Sequence, residues 1–182
     1  GVALEGDFRD AGGDAVVASL SDVTRLRDAE REGRLAAAVF AQVSQPIVVT
    51  DGESRVLRIN HAFTEAFGYS VEEILGHKVS QLRSARHDAA FYAAMWQQLQ
   101  KEGFWRGEIW NRRKNGEEYI EFARITPIRQ SDGRITHYLA VKEDITERKR
   151  IAAEMDRYHH HLEELVAERT ALNFLQRMSG IA

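Results

Sequence analysis

No cysteine occurs in the 182-residue chain, which excludes disulfides, thiolate metal sites and cysteinyl photoadducts and fits a reducing cytoplasm. There is no basic excess either. The formal net charge is -3, so no positive surface argues for nucleic acid. No apolar run approaches the roughly 20 residues of a membrane span, and the N-terminus lacks a signal-peptide pattern. Catalytic signatures are missing as well: no serine–histidine–acid set, no phosphate-cradling glycine loop, no metalloenzyme spacing. The expectation is a cytoplasmic chain that is not an enzyme.

What is present reads as α+β. Residues 46–51 and 55–59 form a strand pair around Asp51-Gly52-Glu53-Ser54. Asn60 caps a short helix over residues 61–67 that stops at Gly68. Ser70-Val71-Glu72-Glu73 is a capping box opening a second short helix, stopped at Gly76. A longer helix over residues 88–101 carries Phe91, Met95, Trp96 and Leu99 on overlapping faces. Three strands follow, around residues 105–113, 119–129 and 136–143, joined at Asn115-Gly116 and Asp132-Gly133. A five-stranded antiparallel sheet with helices on one face accounts for the pattern.

The flanks are helical. Residues 22–42 read as a linker helix with Asp22 or Thr24 as N-cap and a weak point at Gly33. From Ile145 to Met178 the pattern is one long helix. Ile151, Met155, Tyr158, Leu162 and Leu165 alternate steps of four and three, Arg169 interrupts, and Leu172 continues. That seam needs a partner helix, and a parallel homodimer is the simplest supply. His159-His160-His161 point in three directions around this helix and make a solvated face, not a metal site. The segment 15–27 echoes 137–149, each after a glycine turn and before a charged helix. Residues 1–21 are therefore expected to be the last strands of an upstream domain, or a short strand pair packed on the main one. The division is then 1–21 strand remnant, 22–42 linker helix, 43–146 sensor domain and 147–182 coiled-coil signalling helix.

Ile59-Asn60-His61-Ala62-Phe63, Phe67-Gly68-Tyr69-Ser70-Val71-Glu72-Glu73-Ile74-Leu75-Gly76 and Asp144-Ile145-Thr146-Glu147-Arg148 together resemble a PAS domain across residues 35–148. Residues 82–96, Phe104-Trp105-Arg106-Gly107-Glu108 and Asn111-Arg112-Arg113-Lys114 resemble, more narrowly, the flavin-binding PAS redox sensors of nitrogen-fixation control and aerotaxis. The likeness implies FAD, with Trp96 against the isoalloxazine ring, Asn111 offering its amide to the pyrimidine edge, and Trp105 closing the pocket. Flat aromatics stack on such a ring, and an amide complements its alternating donors and acceptors. Val48 and Val79 stand where such sensors can place polar residues, so the ring's redox edge is expected to have fewer polar contacts, and Ala85 replaces a frequent glycine.

Asp144 and Thr146 are read as the junction tying the last strand to the first turn of the signalling helix. The rival to a flavin is a cofactor-free dimerisation and relay element, with haem on His87 behind it. The tail Phe174-Leu175-Gln176-Arg177-Met178-Ser179 resembles the approach to a histidine-kinase phosphoacceptor segment, and a cyclic-dinucleotide synthase is the other output considered. Neither output module is in this chain.

Overall fold

The computed structural model describes residues 13–179, with side-chain exposure described from residue 25 onward. The chain divides into two compact units, one ending at Ser44 and one beginning at Gln45.

Among the described residues the first unit holds one helix, α1 (Gly13–Gln42), uninterrupted at Gly33. It differs from expectation at its start. Residues 15–21 are helical where a strand was expected, and Asp22 and Thr24 lie inside the helix instead of capping it. An apolar run such as Ala15-Val16-Val17-Ala18 suits either state. A strand without neighbours leaves its ladder groups unpaired, whereas a helix satisfies them within the segment. Residues 1–12, the remainder of the expected strand remnant, lie outside the described residues. Leu26, Leu35 and Val39 are exposed on α1.

The second unit holds β1 (Ile47–Asp51), β2 (Val56–Ile59), α2 (His61–Phe67), α3 (Val71–Ile74), a 3-10 turn over Val79–Leu82, α4 (Ala89–Glu102), β3 (Trp105–Arg112), β4 (Glu118–Arg129), β5 (Ile135–Asp144) and α5 (Thr146–Ser179). The strands form one sheet in the order β2-β1-β5-β4-β3, with every neighbouring pair antiparallel. This is the expected five-stranded α+β fold.

Local chemistry sets the boundaries. The Asn60 carboxamide accepts from the amides of Phe63 (3.1 Å) and Ile47 (2.8 Å) and donates to the Gln45 carbonyl at 2.9 Å, so one side chain caps α2 and fastens β1 to it. Ser70 and Glu73 satisfy each other's backbone amides at the start of α3. Asp88 caps α4 by accepting from the Phe91 amide at 2.9 Å. At the β3–β4 turn Gly116 takes φ 88, a left-handed conformation that a Cβ would strain.

Two apolar clusters fix the helices to the sheet. Phe63 and Phe67 (α2), Ile74 (α3) and Leu82 pack with Val48, Val56, Ile59 and Tyr119 of the strands. Tyr92, Met95 and Leu99 of α4 pack with Trp105, Ile109 and Ala123. Each such buried large side chain contributes roughly 1.5–3 kcal/mol.

α5 leaves the sheet directly from β5. Its 34 residues include no buried one. Among the described residues no helix is long and apolar enough to cross a membrane.

Candidate functional site

A cavity of about 340 Å³ lies in the second unit, lined by strand residues on one side and by α4 and the 3-10 turn on the other. That volume is at the lower end of small-molecule sites, roughly 300–1,000 Å³. Strand alternation builds its floor. Ile109 and Asn111 on β3, Glu121 and Ala123 on β4, and Ala140 and Lys142 on β5 are two apart on their strands and face the same side. α4 contributes Tyr92, Met95 and Trp96. Glu53, Lys78 and Arg83 also line the cavity and are exposed, so they mark its open side.

The expected site residues divide. Trp96 is at the cavity, half-buried, its ring 5.3 Å from Tyr138 at 71°. Asn111 is there too, buried and cross-strand from Tyr119. Trp105 is not among the lining residues. Its indole lies in the α4 cluster, edge-on to Phe91 and folded over Gly107. A Cβ at Gly107 would come within 2.6 Å of Trp105 Cζ2, so the absent side chain is what admits the indole. Val48 and Val79 both line the cavity and present methyl groups to it.

His87 lies outside the lining. Its Nε2 accepts from the Trp110 amide at 2.9 Å and its ring stacks on Phe91 at 3.8 Å. The nitrogen that a haem would need is already engaged.

The cavity also holds polar groups that sequence reading missed. Glu121 and Lys142 are an ion pair at 2.5 Å, with both side chains buried. The Tyr119 hydroxyl donates to the other Glu121 oxygen at 3.0 Å. Burial, and then the adjacent Glu121 carboxylate, push the Tyr119 phenol far above its ordinary range, so it stays a neutral donor. The Tyr92 hydroxyl is buried and has no hydrogen-bond partner. Parity was the available signal: Glu121 sits between Tyr119 and Ala123 on the inward register of β4, and Lys142 two residues after Ala140 on that of β5.

Asp144 and Thr146 meet at the exit. Asp144 Oδ1 accepts from the Thr146 amide (2.9 Å) and hydroxyl (2.6 Å), while Thr146 Oγ1 accepts from the Ile120 amide at 3.1 Å. Asp144 also pairs with Arg113, whose guanidinium reaches back to the Ala66 carbonyl at the end of α2. Asp144 and Thr146 together thus join the end of β5 and the first turn of α5 to β4 at Ile120 and to Arg113, the residue after β3. Burial raises the Asp144 pKa, but hydrogen bonds from Arg113 and Thr146 outweigh it and hold the carboxyl below its ordinary value.

The sign of the pH effect follows. With the folded value depressed, the stabilisation is present above the ordinary carboxylate range and is lost as pH falls through the folded value. Asp144→Asn should cost roughly 1–2 kcal/mol near neutrality, allowing for partial exposure. Urea midpoints should show the gap from the parent narrowing below about pH 4. A gap that stays constant down to pH 2.5 would remove the carboxylate from this role.

The sequence profile of the PAS domain matches residues 44–147, more than half of the chain. The chain belongs to the PAS domain family. A nitrogen fixation regulatory protein of Klebsiella oxytoca is 34% identical over 105 residues, covering 58% of this chain and 21% of that protein. The aerotaxis receptor of Escherichia coli is 31% identical over 105 residues, with the same two coverages, 58% and 21%. Among solved structures, the PAS domain of a Colwellia psychrerythraea protein superposes with a TM-score of 0.60 at 25% identity, covering 63% of this chain and 97% of that one. The chain therefore spans about a fifth of the length of those two relatives.

Proposed function

We propose that this PAS domain is a flavin-binding sensor, with FAD as the cofactor, that relays a redox or light stimulus through α5 to an output domain such as a histidine kinase. The observation that carries the reading is the Tyr92 hydroxyl, a buried polar group without a partner on the wall of a ligand-sized cavity. A native structure leaves few such groups unsatisfied, and an absent ligand is one reason for them. The rest of the lining fits a flavin head. Trp96 supplies a flat aromatic wall, Asn111 a carboxamide, and Met95, Ile109 and Ala140 apolar surface. A bound flavin supplies two-electron chemistry and absorbs blue light. The residues bind and orient it, and Lys142, two positions before Asp144 on β5, connects the cavity to the junction.

In this reading α5 works as a pair. Its seam of Ile151, Met155, Tyr158, Leu162 and Leu165 is exposed along the helix and suits a second copy in a parallel homodimer. The likeness to regulators of nitrogen fixation and aerotaxis supports a sensor role, and the output domain remains a property of a longer parent protein.

The test is the visible spectrum of the purified protein. Paired bands in the blue and near-ultraviolet are expected, and Asn111→Ala should lower flavin occupancy or displace the bands by several nanometres. A colourless protein that takes up no added FAD rejects the reading. It selects instead the cofactor-free relay element, which the methyl groups of Val48 and Val79 favour. A single Soret band would mean haem.

A further inference from the structure

The buried charges of the second unit lie on the wall of this same cavity, and their hydrogen bonding is one-sided. Both oxygens of Glu121 are engaged: one takes the Lys142 ammonium and the other the Tyr119 hydroxyl. The donors of Lys142 are not all engaged. An ammonium has three donors, and the described partner is Glu121 alone, with the face of Phe67 at 5.8 Å as a weak cation–π neighbour. Both side chains line the cavity, and the unpartnered Tyr92 hydroxyl lines it from α4.

Burying two charges costs several kcal/mol per ion unless all their hydrogen-bonding capacity is met. Here each carboxylate oxygen has a donor from the protein, whereas Glu121 is the one described acceptor for the ammonium's three donors. The group that completes that set belongs in the cavity, and it must offer acceptors. It must also favour a fixed positive charge at its edge, because apolar walls give Lys142 little screening.

Resting on the flavin reading above, we infer that Lys142 is the cationic contact of the bound ring and sets its reduction potential, with Glu121 as the partner that limits the charge. The ligand class is thereby narrowed to planar, acceptor-edged rings that become anionic on reduction. On taking two electrons from an added chemical reductant and one proton from solvent, such a ring carries one negative charge, which an adjacent ammonium stabilises. Lys142 would then favour the reduced form, and Glu121 would offset it.

The test is the midpoint potential of the full chain carrying FAD, titrated with dithionite against a reference dye. Lys142→Gln keeps an amide donor to Glu121 and removes the charge. It should remain yellow, with the reduction equilibrium lowered about tenfold, or about 30 mV for a two-electron couple. Glu121→Gln frees the lysine charge and should move the midpoint upward. Lys142→Arg should hold near the parent value. A yellow Lys142→Gln protein with the parent midpoint overturns the inference and leaves the flavin reading intact, as does movement of both variants in the same direction. If Lys142→Gln does not fold, Glu121→Gln decides alone, and an unchanged or lowered midpoint overturns the proposal. A parent that binds no flavin rejects the flavin reading and this inference with it.

Discussion

Lys142→Met should lower the free energy of unfolding by roughly 3–5 kcal/mol, the range for breaking a buried ion pair from one side. The methionine fills much of the volume of the lysine stem, so little of that loss is a packing cavity. The cost comes from Glu121, which is fully buried and would keep only the Tyr119 hydroxyl of its two partners. A carboxylate stranded there must either stay charged in an apolar wall or take up a proton, and both destabilise the fold. Removing both charges together, as Glu121→Leu with Lys142→Met, should recover most of the loss, because two apolar side chains of similar volume leave no stranded ion. Tyr119 then keeps Asn111 as its cross-strand neighbour. Urea midpoints with unchanged m-values would measure all three proteins. A single variant within about 1 kcal/mol of the parent would mean that the pair is solvated in solution.

That same pair marks the limit of what the residues disclose before folding. Caps and turns were legible because their chemistry is local. Asn60 and Ser70 with Glu73 each satisfy amides within four residues, so their helices begin where the sequence places them, while Asp88, read as the first residue of the long helix, is its cap. The sheet was legible because strand alternation and Asn115-Gly116 leave few other pairings. Trp96 and Asn111 both line the cavity, one from α4 and one from β3. Trp105 does not, although it shares the inward parity of Ile109 and Asn111. It lies at the far end of β3, where Gly107 opens a slot beside the strand and the indole takes it. A near-vacant position two residues away redirected the side chain, and nothing in strand parity encodes that. Glu121 and Lys142 escaped for the opposite reason. Charged residues in strands default to solvent, and only the pairing of β4 with β5, set by the whole sheet, brings one opposite-charge partner to each. The start of α1 escaped because a short apolar run carries no period of its own.

For α5 the expected result is that Leu162→Asp converts a dimer into monomers, weakening association on the order of a thousandfold. The helix is 34 residues long, or about 50 Å at 1.5 Å per residue. Ile151, Met155, Tyr158, Leu162 and Leu165 recur at steps of four and three, and they are between 46% and 63% exposed in the single chain. A rod that buries none of its own residues has little beyond backbone hydrogen bonds and local pairs such as Glu147–Arg150 to hold it. Pairing along the seam would bury each leucine against its counterpart, at roughly 1.5–3 kcal/mol per side chain. Because the same position occurs in both copies, one substitution removes two leucines and sets two carboxylates against each other. That doubling is why the effect should be large. Glu163→Asp, which introduces the same residue one position away and off the seam, should leave the dimer intact and so separates loss of pairing from loss of helix propensity. Sedimentation equilibrium distinguishes the cases. If the parent sediments as a monomer, or if Leu162→Asp sediments as the parent does, the seam has no partner in solution, and a signal leaving β5 through Asp144 would have only a single helix to move.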